Sequence, residues 1–127
     1  DDIKGMTPEK VQAIMDFIKF CCNKMHLKNK VKVVLRKGRD EYIKTTASYL
    51  PGDDENHIRC EGRSLVDICR SIAHELTHNR QREMGAFKPG ETVQNIGGHL
   101  ESQADTMAGI LIKDFTHHQG YDHIYDM

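Results

Sequence analysis

Residues 73–81 read AHELTHNRQ, and within them His74, Glu75 and His78 stand in the order H-E-x-x-H. On a helix, side chains four apart share a face, so His74 and His78 can offer two imidazole nitrogens to one metal ion. Glu75, the next residue, falls near the same surface, where a carboxylate can take a proton from a water that the metal activates. The five residues thus encode two ligands and a base. The plain alternative is an amphipathic helix that carries two histidines by chance. The rest of the chain must therefore supply what a metal site needs.

A catalytic zinc site takes a third protein ligand and keeps a position open. The all-histidine extension H-E-x-x-H-x-x-G-x-x-H is excluded, because Gln81 and Met84 stand where its glycine and third histidine belong. A glutamate on a following helix is the other route. Glu101 lies twenty-three residues beyond His78, past a glycine-rich stretch in which the chain can reverse. Asp105, four residues further and on the same helix face, can accept the spare N–H of a ligand histidine and fix its tautomer. The plain alternative for Glu101 and Asp105 is a solvated helix face.

HELTH followed by ESQAD resembles the gluzincin branch of zinc metallopeptidases, which pairs H-E-x-x-H with a later E-x-x-x-D. The pentapeptide is similar to that of thermolysin-like enzymes. The size and the order of elements resemble the minimal gluzincins and the IrrE-like zincin domain, over roughly residues 7 to 116. The resemblance implies one zinc ion held by His74, His78 and Glu101. Glu75 would be the general base and acid, and Asp105 would stand behind a ligand histidine. It also implies a peptide or protein substrate lying extended along an edge strand beside the site helix. TTASYL (45–50) is the expected edge, and its small residues suit the approach of another backbone.

Peptide hydrolysis also needs a donor for the developing oxyanion. The candidates are Tyr49, His99, His117, His118, Tyr121, His123 and Tyr125. Several cluster in the tail FTHHQGYDHIYDM. That tail, from residue 117 on, is expected either to hang free or to fold over the cleft, where it would complete the site or block it.

These residues need a frame. TPEKVQAIMDFIKFCCNKMHL opens with Thr7 as helix cap and Pro8 at the first helical position. Val11, Ile14, Met15, Ile18, Cys22 and Met25 then recur at helical spacing, which predicts the buried face. VKVVLRK (31–37) reads as a strand, RDEYIKTTASYL (39–50) as a second, PGDDENH (51–57) as a turn and HIRC (57–60) as a short return strand. Within the second strand, Tyr42, Lys44 and Thr46 should face one way and Ile43, Thr45 and Ala47 the other. Residues 63–83 predict the helix that carries H-E-x-x-H, capped by Ser64 with Asp67 three residues on, and buried through Leu65, Ile68, Cys69, Ile72 and Leu76. A loop over 85–98 precedes a last helix over 99–118, with Leu100, Ala104, Met107, Ala108, Leu111 and Phe115 as its apolar face. The expected fold is α+β and zincin-like: one domain over 1–127, with a first helix, a small three-stranded sheet, the site helix and a glutamate-bearing helix.

Composition agrees with that frame. The chain has 127 residues, 38% hydrophobic and 29% charged, with a net charge of −1, which reads as one globular domain. Without a basic excess there is no reason to expect nucleic acid, and no apolar run approaches the roughly 18–20 residues of a membrane span. Cys21, Cys22, Cys60 and Cys69 form no metal-ribbon or dense disulfide spacing, so buried free thiols in a reducing, cytoplasmic setting are expected. The reading that emerges is a zinc-dependent metallopeptidase. Its rival is a zincin-like scaffold that binds zinc, or a partner, without turnover.

Overall fold

The computed structural model describes residues 6–28, 31–36, 47–50, 55–60, 63–85 and 98–118. Helix α1 (Pro8–Lys24) starts where Thr7 accepts the Lys10 N–H through its side-chain oxygen at 3.2 Å. Its buried residues are Ala13, Ile14, Phe17 and Cys21, with Met25 just beyond its end. The buried stripe is therefore rotated from the expected one, since Val11 and Met15 are 37% and 49% exposed. The reason is aromatic. Phe17 and Phe20 meet Phe115 at ring-centroid distances of 5.1 and 5.4 Å, and rings of that size outweigh a valine or a methionine in choosing which face turns inward.

Strands β1 (Lys32–Arg36), β2 (Ala47–Leu50) and β3 (Glu55–Arg59) form a mixed sheet in the order β1-β3-β2. β1 runs parallel to β3 and β2 antiparallel to it. The chain thus goes to the far edge before it returns through the centre. β3 begins at Glu55, so Glu55 and Asn56 belong to the strand and not to the expected turn. Asn56 is fully buried and donates to the Lys32 carbonyl at 3.0 Å. A buried, bonded asparagine of this kind holds strands together and has no place in a solvated turn. The expected strand residues 39–46, the turn at 51–54 and the loop over 86–97 lie outside the described residues.

Ser64 caps α2 (Leu65–Glu83) by accepting the Asp67 N–H at 3.3 Å. Arg63 fastens this end to the sheet, donating to the Arg59 and Asp67 carbonyls at 2.8 Å and to Ser71 Oγ at 2.6 Å. Leu65, Ile68, Cys69, Ile72 and Leu76 are all buried. α2 packs against α1, β2, β3 and a third helix, α3 (Gly98–His118). Because it is the hub, its second half is buried on several faces, including Glu75, Thr77, His78, Asn79 and Gln81. From α3, Leu100, Ala104, Ala108, Leu111, Ile112 and Phe115 turn inward.

The result is α+β: among the described residues, three helices and a three-stranded sheet with one core between them. All four cysteines are free, with Cys22 half-buried and the others buried. Among the described residues, no helix is long and apolar enough to cross a membrane.

Candidate metal centre

The site stretch of α2 is held from below. Asn79 donates through Nδ2 to Asn56 Oδ1 at 2.7 Å and to the Glu75 carbonyl at 2.8 Å. This buried amide pair links the site helix to the central strand, so the turn carrying Glu75 and His78 cannot rotate without losing the bond to Asn56. On the other side α3 approaches closely, because Ala104 and Ala108 are small and fully buried. Glu101 and Asp105 flank Ala104 on that helix and are thereby brought over α2.

Three ligand-type atoms converge there. His78 Nε2 is 2.7 Å from Glu101 Oε1, His74 Nε2 is 3.1 Å from the same oxygen, and the two Nε2 atoms are 3.2 Å apart. The imidazole rings stand nearly perpendicular, at 88°, with both Nε2 atoms turned toward Glu101 Oε1. A zinc ion with bonds of about 2.0–2.1 Å in tetrahedral geometry sets its ligand atoms about 3.3 Å apart. Two of the three separations match that, and Glu101 would draw back from His78 by about 0.6 Å. Its side chain is half-exposed and has room to do so. His74, His78 and Glu101 are the one such group of metal-ligating side chains among the described residues.

Each histidine has an acceptor behind it. Asp105 Oδ1 lies 2.8 Å from His74 Nδ1, and Gln81 Oε1 lies 2.8 Å from His78 Nδ1. Both rings are thus held by Nδ1 with Nε2 turned to the shared point, the arrangement of most ligand histidines. In the sequence alone, Gln81 serves only to exclude the all-histidine motif. Its role was legible as spacing, since a residue three beyond His78 shares its helix face. Burial pushes the His78 imidazole below its ordinary value; the Gln81 bond opposes this, His74 adds to it and Glu101 opposes it again. A neutral imidazole is the form that binds metal.

Glu75 is 7% exposed, and no hydrogen bond to its carboxyl occurs among the described residues. Burial pushes it up to about 7, His74 pulls it down and Glu101 raises it again. A carboxyl balanced near neutrality can both accept and return a proton.

The other candidate donors are scattered. His99 is exposed in the first turn of α3, two residues before Glu101. Tyr49 lies in edge strand β2, paired in register with Asn56. His117, exposed, and His118 end α3, roughly 24 Å along the helix axis from Glu101 at 1.5 Å per residue. Tyr121, His123, Tyr125 and the tail from residue 119 lie outside the described residues. Comparison with known family models, curated proteins and solved structures returns no match.

Proposed function

We propose that the chain is a zinc-dependent metallopeptidase of the gluzincin type. The observation that carries this reading is the convergence of His74 Nε2, His78 Nε2 and Glu101 Oε1 beside a buried carboxyl on the same helix. The donor set, two imidazoles and a carboxylate, is one that catalytic zinc sites use and leaves a fourth position for a reactant. When bound, zinc supplies Lewis acidity, polarising a carbonyl and lowering the pKa of water.

The chain's own residues supply the rest. Glu75 accepts a proton from the attacking water and passes it to the nitrogen of the leaving amine, which the near-neutral balance of its carboxyl permits. His74 and His78 are aimed by Asp105 and Gln81, whose oxygens lie behind their Nδ1 atoms. β2 is the terminal strand of the sheet and packs on α2, so an extended peptide can add to its outer edge by backbone hydrogen bonds.

The test is a zinc titration and a peptidase assay on a mixed peptide library, with Glu75→Gln as control. The wild type should bind one zinc and cleave. The Gln variant should bind zinc and not cleave. Zinc binding without cleavage by the wild type would favour a non-catalytic scaffold, and undiminished cleavage by Glu75→Gln would remove the mechanism.

A further inference from the structure

Gln81 is 4% exposed and makes three hydrogen bonds, which together leave its amide one orientation. Its Nε2 lies 3.1 Å from the Leu100 backbone carbonyl and 2.7 Å from Gln103 Oε1. A backbone carbonyl can only accept, so the amide must turn its NH2 group toward Leu100. That leaves Gln81 Oε1, which has no proton, facing His78 Nδ1 at 2.8 Å. The proton between them must therefore be on Nδ1. A neutral imidazole has only one N–H. In the neutral ring His78 Nε2 is then the nitrogen left for a metal, and it lies 2.7 Å from Glu101 Oε1 and 3.2 Å from His74 Nε2, a group of acceptors that a cation between them would satisfy. Turning the amide over would set two carbonyl oxygens, Gln81 and Leu100, against each other in a buried place with no proton between them.

We infer that Gln81 is a positioning residue that fixes His78 in the Nδ1–H tautomer, with the Leu100 carbonyl as the group that decides it. This rests on the zinc reading above and deepens it. Leu100 is the residue before Glu101, so one side chain orients a histidine ligand and grips the backbone beside the carboxylate ligand on the neighbouring helix. His74 needs no such relay, because the Asp105 carboxylate accepts at Nδ1 whichever way it turns. The two histidines are thus set by different means: one by an exposed charge, the other by a buried amide whose direction is dictated by a main-chain carbonyl.

The experiment has two readouts. The first is the histidine tautomer in the metal-free protein, from long-range proton–nitrogen correlation spectra, with the His78 signal assigned by comparison with His78→Gln. The second is zinc affinity by competition with a chromophoric chelator. The wild type should show His78 protonated at Nδ1. Gln81→Leu, close in shape but without polar atoms, should lose that preference and bind zinc ~10–100-fold more weakly. Gln81→Glu, which keeps an oxygen toward Nδ1 but sets its other oxygen against the Leu100 carbonyl, should retain the Nδ1 proton while still losing affinity. A wild-type His78 protonated at Nε2 and not at Nδ1 would overturn the inference without any variant being needed. So would a Gln81→Leu protein with unchanged tautomer and affinity, or a Gln81→Glu protein whose His78 loses its Nδ1 proton. If the wild type bound no zinc, the metallopeptidase reading would fall, while the metal-free tautomer spectrum would still judge the Gln81 arrangement by itself.

Discussion

The burial of Glu75 makes a measurable demand on the metal-free protein. Its carboxyl is raised from 4.5 to about 7 in the fold. Between those values the native state holds a proton that the unfolded chain has released, so stability falls as pH rises. The contribution is fully present below pH 4.5, declines across the window and is gone above about 7. At 1.36 kcal/mol per pH unit, the loss comes to about 3 kcal/mol. That is a large part of the 5–15 kcal/mol typical of a domain. His78 works in the opposite sense. Its value is lowered, so its contribution is lost as pH falls through the ordinary 6.5. The wild-type curve alone would mix the two.

Glu75→Gln separates them, because it removes the ionisation and keeps the shape. Urea unfolding followed by far-ultraviolet circular dichroism, with a chelator present and at steps from pH 4.5 to 8, would give both curves. The difference between variant and wild type should be small near pH 4.5 and should grow to about 3 kcal/mol in favour of the variant by pH 8. With zinc added, the nearby positive charge favours the carboxylate, so the gap should shrink. Parallel curves in the presence of chelator would refute the claim that Glu75 is held in a desolvated site.

Two other outcomes follow from packing and burial. Ala104→Leu and Ala108→Leu should each cost roughly 1–3 kcal/mol by overpacking the contact between α2 and α3. Ala104→Leu, set between Glu101 and Asp105, should weaken zinc binding more in the chelator competition; equal weakening would mean the ligand spacing does not depend on this contact. In thiol labelling of the native protein at pH 8, half-buried Cys22 should react first. Cys21, held well up by burial, Cys60, pushed to about 11, and Cys69, pushed to about 12, should react only as fast as the protein unfolds.

Much of this arrangement could be read from residue types, and where it could not, the reason is that contacts between distant segments decide. The site helix was legible because Leu65, Ile68, Cys69, Ile72 and Leu76 keep helical period and Ser64 marks the start. Glu101 and Asp105 were legible as a second carboxylate-bearing helix after a loop. Along α1, Ile14 and Met25 are buried as their spacing predicts, but spacing cannot choose between neighbouring apolar stripes; Phe115, nearly a hundred residues away, makes the choice. β3 was begun two residues late because Glu55 and Asn56 look like turn residues, and only pairing with β1 and β2 makes them strand. Beyond its spacing from His78, Gln81 carries no signal of its own in the sequence. Its value depends on the Leu100 carbonyl, and no local pattern announces a main-chain partner on another helix.

The same dependence explains why the site is divided between helices at all. His74 and His78, one turn apart on α2, place two nitrogens 3.2 Å from each other, and nothing else on that helix contributes to the three-atom group. The third atom must come from outside, and its position is only as good as the contact between α2 and α3. On the inward face of α3, Ala104 and Ala108 are fully buried, and such small residues permit close approach, since helix separation of about 8–10 Å depends on the side chains between. Gln81 then spans the same seam by hydrogen bonds, reaching the backbone next to Glu101. Packing brings the carboxylate near and the amide sets its register, so the two act on different coordinates of one geometry. A change that spared every ligand but disturbed either coordinate would damage the site as surely as loss of a histidine.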